Sequence, residues 1–143
     1  MPRRTQQPAA YSLHPQLAAD THPVAALGLC ELRLMDDSNY PWLVLVPRVA
    51  DVRELVELDA EQRRQVSDDI DRASRLLLDA VRPYKLNVAA LGNLVPQLHV
   101  HVIGRFEDDP AWPAPVWGRV AAHPYPPDAL VERIRLLRDT LRA

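Results

Sequence analysis

Two histidines one residue apart, His99 and His101, are the side chains of this sequence best suited to chemistry. A free imidazole has a pKa of about 6.5, so a neighbouring pair offers a nucleophile, a proton carrier or a metal ligand. They lie in Gln97-Leu98-His99-Val100-His101-Val102-Ile103, where polar and apolar residues alternate until the last pair. That period belongs to a half-buried strand. Gln97, His99 and His101 share one face, and Leu98, Val100 and Val102 point into a core. Spacing alone leaves the chemistry open, because strand histidines also serve as plain surface or satisfied core residues.

Such a strand needs partners, and the chain supplies them in order. Leu27 to Met35 reads as a strand with Cys30, Leu32 and Leu34 on one side and Glu31 and Arg33 on the other. Asp36 to Pro41 is turn chemistry, and Trp42 to Val46 is an apolar strand ended by Pro47, so the two should pair as an antiparallel hairpin. Asp51 to Leu58 reads as a short helix or turn. Asp59-Ala60-Glu61-Gln62 has the form of a helix start in which each side chain satisfies the other's free backbone amide. The helix should run to about Val81, with Val66, Ile70, Ala73, Leu77, Ala80 and Val81 as its buried stripe and Pro83 closing it. The charges at Arg63, Arg64, Asp68, Asp69, Asp71, Arg72 and Arg75 read as ordinary surface pairs. Lys85 to Leu91 is a third strand, turned by Gly92 to Pro96 into the histidine strand. Strand, strand, helix, strand, strand predicts an α+β fold with an antiparallel meander sheet and one long helix between the strand pairs.

The flanks read less regularly. Met1 to Ala10 is polar and expected to fray, Pro15 to Asp20 can form one helical turn, and His14 and His22 fall in proline-bounded loop sequence as surface residues. After Arg105, residues 106 to 126 include a proline-rich loop carrying Trp112 and Trp117, which could flank a ring-shaped ligand or pack in the core or an interface. His123 reads as incidental. Pro127 opens an amphipathic C-terminal helix with Leu130, Ile134, Leu137 and Leu141 inward.

With 143 residues, no internal repeat and 48% hydrophobic residues, the chain is expected to form one domain, residues 1–143, with a sizeable core. A net charge of −2 provides no global field for nucleic acid or anionic lipid, so neither is an expected partner. One cysteine, Cys30, excludes an internal disulfide and a multi-cysteine zinc site, and its apolar setting makes it core filler. No apolar run reaches the roughly eighteen residues of a membrane span, and the first residues lack the apolar segment of a signal peptide, so the cytoplasm is the expected location.

The stretch Gly92-Asn93-Leu94-Val95-Pro96-Gln97-Leu98-His99-Val100-His101-Val102-Ile103 resembles the signature of the histidine triad (HIT) family, His-φ-His-φ-His-φ-φ preceded by Gly-Gln-x-Val-x. Aligned so, His99 is the middle and His101 the last triad position, Gln97 stands at the first, and Asn93 stands where the family has Gln. The likeness extends more faintly from Leu27 to Arg105. Pro41-Trp42-Leu43-Val44-Leu45-Val46-Pro47 keeps the prolines and apolar run of the corresponding hairpin without its Gly-His.

The resemblance implies a HIT-like fold, a homodimer, and a nucleotide hydrolase or transferase. In such an enzyme the middle histidine attacks the α-phosphorus of a dinucleoside polyphosphate or nucleoside phosphoramidate, giving a nucleotidyl-histidine. It assigns His99 as nucleophile, oriented by the backbone carbonyl of Gln97, and His101 as donor to a phosphate oxygen. Asn93 and the amides around Gly92 would assist at the phosphate, Asp36 or Asp37 would take the ribose hydroxyls, and Asn87 would contact substrate. No cofactor or metal is required. Because an amide cannot exchange a proton near pH 7, Gln97 also admits a nucleotide-binding protein with weak or lost catalysis. A third reading is a metal site formed by His99 and His101 with His123.

Overall fold

A computed structural model describes residues 10–143, and the expectation for Met1 to Ala10 falls, except for Ala10, outside the described residues. Five antiparallel strands form one open sheet: β1 (Thr21–Ala26), β2 (Cys30–Met35), β3 (Trp42–Pro47), β4 (Lys85–Ala89) and β5 (Val100–Arg105), in the order β1-β2-β3-β5-β4. Around it lie α1 (Pro15–Asp20), α2 (Ala60–Val81) and α3 (Pro127–Arg142), with one turn of 3-10 helix at Leu55–Glu57. This is the expected α+β architecture. The last strand lies inside the sheet: β5 pairs with edge strand β4 on one side and with the central β3 on the other, with Val44 opposite His101.

Alternation along β2, β3 and β5 divides the side chains between the two sheet faces. Leu32, Leu34, Leu43, Leu45, Val100 and Val102 pack with the apolar stripes of α2 and α3. The expected stripe of α2 lies against this core: Val66, Ala73 and Leu77 are buried, and Ile70, Ala80 and Val81 pack on it. The Asp59 carboxylate accepts the Gln62 N–H at 2.8 Å while Gln62 Oε1 accepts the Asp59 N–H at 3.0 Å, so the helix starts as expected. On α3, Leu137 is buried and Leu130, Ile134 and Leu141 pack against the same core. No helix among the described residues is long and apolar enough to cross a membrane.

The opposite face is covered by α1 and by irregular chain. Val44, Val46, Trp42 and Ile103 pack there with Leu17, Tyr40, Ala111 and Val116. Arg105 is buried at 1% exposure, and its guanidinium holds both Asp109 oxygens (2.8 and 3.1 Å), Asn87 Oδ1 (2.8 Å) and the Ala114 carbonyl (2.8 Å). Asp109 also accepts the N–H groups of Phe106, Ala111 and Trp112. Burial pushes the Asp109 carboxyl up, but Arg105 and these backbone donors outweigh it and hold the group below the usual carboxylate range. The proline-rich loop is thus tied down by polar contacts rather than by regular structure. Gly104 permits a close approach beside it. A Cβ there would sit 2.8 Å from Pro41 Cγ, whereas the Gly104 N–H now donates to the Pro41 carbonyl at 2.8 Å.

Several local expectations are corrected. Thr21-His22-Pro23, expected as loop, opens the edge strand β1 (Thr21–Ala26), where Pro23 is tolerated because an edge strand has one unpaired side. The strand expected from Leu27 starts at Cys30, and the reason is Asp69. Read as a surface charge, Asp69 is 2% exposed and accepts the N–H groups of Gly28, Leu29 and Cys30 at 3.1, 2.8 and 2.8 Å. Its carboxylate thereby caps the β1–β2 turn from α2. Burial and the adjacent Asp69 push the Cys30 thiol up, in keeping with inert filler. The third expected strand stops at Ala89, and β5 pairs only from Val100, three residues after Gln97.

Candidate functional site

The face expected to carry the histidines does so. His99 and His101 lie on the loop-covered side, 7% and 5% exposed, with ring centroids 5.0 Å apart, while Leu98, Val100 and Val102 enter the helix-covered core. His99 Nδ1 is 2.7 Å from the Gln97 carbonyl oxygen. A carbonyl only accepts, so Nδ1 carries a proton, and in the neutral ring Nε2 carries the lone pair. Among the described residues, the sealed side-chain polar atoms without a partner are His22 Nε2, Tyr40 Oη and Tyr125 Oη. Neither Nε2 of the imidazole pair is among them.

The Gln97 side chain is engaged elsewhere. Its Oε1 accepts the His14 N–H and its Nε2 donates to the Ser12 carbonyl, both at 2.8 Å, so the amide clamps the segment before α1 over the sheet. His14 in turn caps α1 by accepting the Gln16 N–H on Nδ1. Gln97 therefore acts near the imidazoles through its carbonyl and away from them through its side chain.

Two tryptophans surround His101. Trp42 Nε1 donates to His101 Nδ1 at 3.0 Å, with the rings edge to face at 5.6 Å. Trp117, from the proline-rich loop, lies edge to face with both His101 (5.2 Å) and Trp42 (5.7 Å). Burial, and then the neighbouring His99, push the His101 pKa down to about 4, so the ring is neutral at physiological pH. Trp112 takes no part; it packs against Tyr84 and the Arg105 guanidinium.

A cavity of about 450 Å³ opens beside these rings, lined among others by Trp42, Trp117, Met35, Asp36 and Asp37. Both carboxylates spend one oxygen on the chain itself. Asp36 Oδ1 accepts the Tyr125 N–H and lies 3.3 Å from His22 Nε2, and Asp37 Oδ1 accepts the N–H groups of Asn39 and His123. Asn93 is exposed in the turn that precedes β5, and Gly92 has φ +66°, the left-handed conformation that glycine adopts without strain. Asn87 is held by Arg105, opposite Ile103 on β4, and lines a shallow groove with Trp117. Trp42 and Trp117, which pack against His101, line this opening together with Asp36 and Asp37, whereas neither histidine is among its lining residues and Asn87 is drawn into the Arg105 cluster.

No group of three or more His, Cys, Asp and Glu side chains among the described residues could hold a metal ion. His123, weighed as a distant third ligand, is fastened to the turn after β2, 3.0 Å from Ser38 Oγ. The roles of Trp42 and of the Gln97 amide were missing from the sequence reading. Alternation could have placed Trp42 on the histidine face, but only with the β3–β5 register known.

The HIT domain family pattern matches residues 16–108. A histidine triad protein from Bradyrhizobium japonicum superposes with a TM-score of 0.90 at 44% identity, covering 93% of this chain and 99% of its own. One from Marinobacter aquaeolei gives 0.90 at 42%, covering 94% and 98%, and one from Sinorhizobium meliloti gives 0.88 at 40%, covering 91% and 96%. No curated protein matches the chain. A family pattern that spans residues 16–108, together with relatives alike almost end to end, establishes that this chain belongs to the histidine triad family.

Proposed function

We propose that this protein is a nucleotide hydrolase or transferase in which His99 attacks the α-phosphorus of a dinucleoside polyphosphate or a nucleoside phosphoramidate. One observation carries the reading: the Gln97 carbonyl holds the proton on His99 Nδ1, leaving the Nε2 lone pair free. The Nε2–P bond forms as the P–O or P–N bond to the leaving group breaks. The leaving group departs with the electron pair and takes a proton from solvent. Water then attacks phosphorus and releases a proton to solvent, restoring the one the leaving group took, as the Nε2–P bond breaks and the imidazole regains its lone pair.

In this reading Gln97 stands at the first triad position and supplies its carbonyl, the part of the residue that does not depend on side-chain identity. His101 donates to a nonbridging phosphate oxygen as charge builds. Asn93 and the backbone amides at Gly92 assist at the phosphate. The nucleoside occupies the cavity beside Trp42 and Trp117, with its ribose hydroxyls toward the second oxygens of Asp36 and Asp37. Asn87 contributes through the Arg105 cluster. A structurally similar protein from Sulfolobus tokodaii is described as a histidine triad nucleotide-binding protein, which is consistent with a nucleotide ligand here, although at 15% identity it shares only the fold. Edge strand β4 exposes Val88, with Tyr84, Leu91 and Leu94 also open nearby in the chain, and we assign this edge to a homodimer contact.

The test is acid-quenched intact-protein mass spectrometry with adenosine phosphoramidate and with diadenosine tetraphosphate. A nucleotidyl adduct is expected on the wild type and not on His99→Ala. Nucleotide binding by calorimetry without adduct or turnover would replace this reading with a non-catalytic nucleotide-binding protein.

A further inference from the structure

Trp42 is the only hydrogen-bond partner of His101 among the described residues, and the bond has a direction that chemistry fixes. An indole N–H donates and never accepts, so the nitrogen it meets must offer a lone pair. His101 Nδ1 is therefore the bare nitrogen, and the single proton of the neutral ring is on Nε2. Turning the ring over would set a C–H against the indole N–H and lose the bond. Protonating Nδ1 would set two N–H groups against each other.

His99 is held in the opposite state, because the Gln97 carbonyl can only accept. We propose that Trp42 is a positioning residue: its indole N–H locks His101 as the Nε2–H tautomer, so that two adjacent imidazoles present a lone pair and a donor, respectively. The catalytic consequence rests on the nucleotidyl-transfer reading above, whereas the tautomer assignment stands without it.

Three further observations support the assignment. Trp42 lies in the buried β3 strand at 7% exposure, and its ring is held edge to face by Tyr40 and Trp117, so the donor is fixed in direction. Trp117 packs against the same imidazole and limits its rotation. Burial and the adjacent His99 keep His101 neutral, which is the state the indole bond requires. Trp42 thus sets which nitrogen of His101 is a donor without touching substrate through that bond.

The experiment is long-range ¹H–¹⁵N correlation of the histidine rings in uniformly labelled protein without nucleotide, on the wild type and Trp42→Phe, paired with single-turnover adduct formation. The wild type should show His99 as the Nδ1–H and His101 as the Nε2–H tautomer. Trp42→Phe should turn His101 into a mixture and slow adduct formation about tenfold to a hundredfold when measured at saturating nucleotide, where a change in affinity does not enter. Wild-type His101 found as Nδ1–H overturns the proposal, and that result needs no variant to fold. An unchanged tautomer or an unchanged adduct rate in a folded Trp42→Phe also overturns it. If the wild type forms no adduct yet shows the two opposite tautomers, the nucleotidyl-transfer reading fails and the role of Trp42 in fixing His101 stands.

Discussion

The two faces of the sheet are held by different chemistry. Under α2 and α3, Leu32, Leu43, Leu77, Val102 and Leu137 interlock as an apolar layer. Across the sheet, the cover is irregular chain, and its order comes from directed polar contacts: Arg105 to Asp109 and Ala114, and Gln97 to Ser12 and His14. Irregular backbone satisfies only part of its own amides, as in the Asp109 and Ala114 turns, so a face covered by loops buries polar side chains such as Asp109 to satisfy others. That polar architecture also lets a pair of imidazoles be nearly enclosed and still be aimed.

The largest expected effect is at Arg105. Replacing it with Met strands the Asp109 carboxylate and should cost about 3–5 kcal/mol in urea unfolding. Leu77→Ala on the helix face should cost about 2–5 kcal/mol. The contrast lies in the site: adduct formation measured where both variants remain folded should fall for Arg105→Met and stay near wild type for Leu77→Ala. Equal losses would break the division between the faces.

A smaller effect concerns pH. The folded-state pKa of His101 lies near 4, below the 6.5 of a free imidazole, so between these values the unfolded chain binds more protons. This contribution to stability is fully present above pH 6.5 and is lost as pH falls toward 4, to the extent of about 3 kcal/mol. Denaturation midpoints across that window should show the slope in the wild type and a reduced slope in His101→Phe. Asp109, whose pKa is depressed, should add a further loss only at lower pH, as its carboxylate protonates below the usual range.

Asp69→Asn keeps one acceptor oxygen where the carboxylate serves three N–H groups, so it should cost about 1–2 kcal/mol. Because Asp69 is a polar anchor on the apolar face, its variant should leave the imidazole tautomers alone. The smallest effect is expected at Gln97→Ala, about 1 kcal/mol, with faster amide exchange near His14 and no change at His99, since the orienting carbonyl remains.

The same contrast explains what could be read from the sequence. The stripe of α2, the Asp59–Gln62 cap, α3 and the alternation through His99 and His101 are repeated local signals, and each predicts its element. Pro23 concealed β1, because an edge strand tolerates a residue that a sequence pattern counts as a break. Asp69 sits among charges that do face solvent, and nothing local separates it from Asp68 or Asp71. The Trp42 to His101 bond spans 59 residues and requires a strand register that alternation alone does not supply. Asp36 and Asp37 were legible as a carboxylate pair, but their bonds to Tyr125 and His123 come from the far end of the chain.

The Gln97 clamp also bears on the order in which the molecule assembles. It joins residues 83 and 85 positions apart, and the Asp36 and Asp37 contacts span 89 and 86. Closing such long loops is entropically costly until the sheet between them exists. On a ribosome, the segment at Ser12 and His14 is made early and waits for β5 to emerge. On the helix-covered side, α2 reaches the β1–β2 turn through Asp69 across only 39 to 41 positions, so that part can form before the imidazoles are enclosed. A chain that has folded its core without its cover would expose both histidines together.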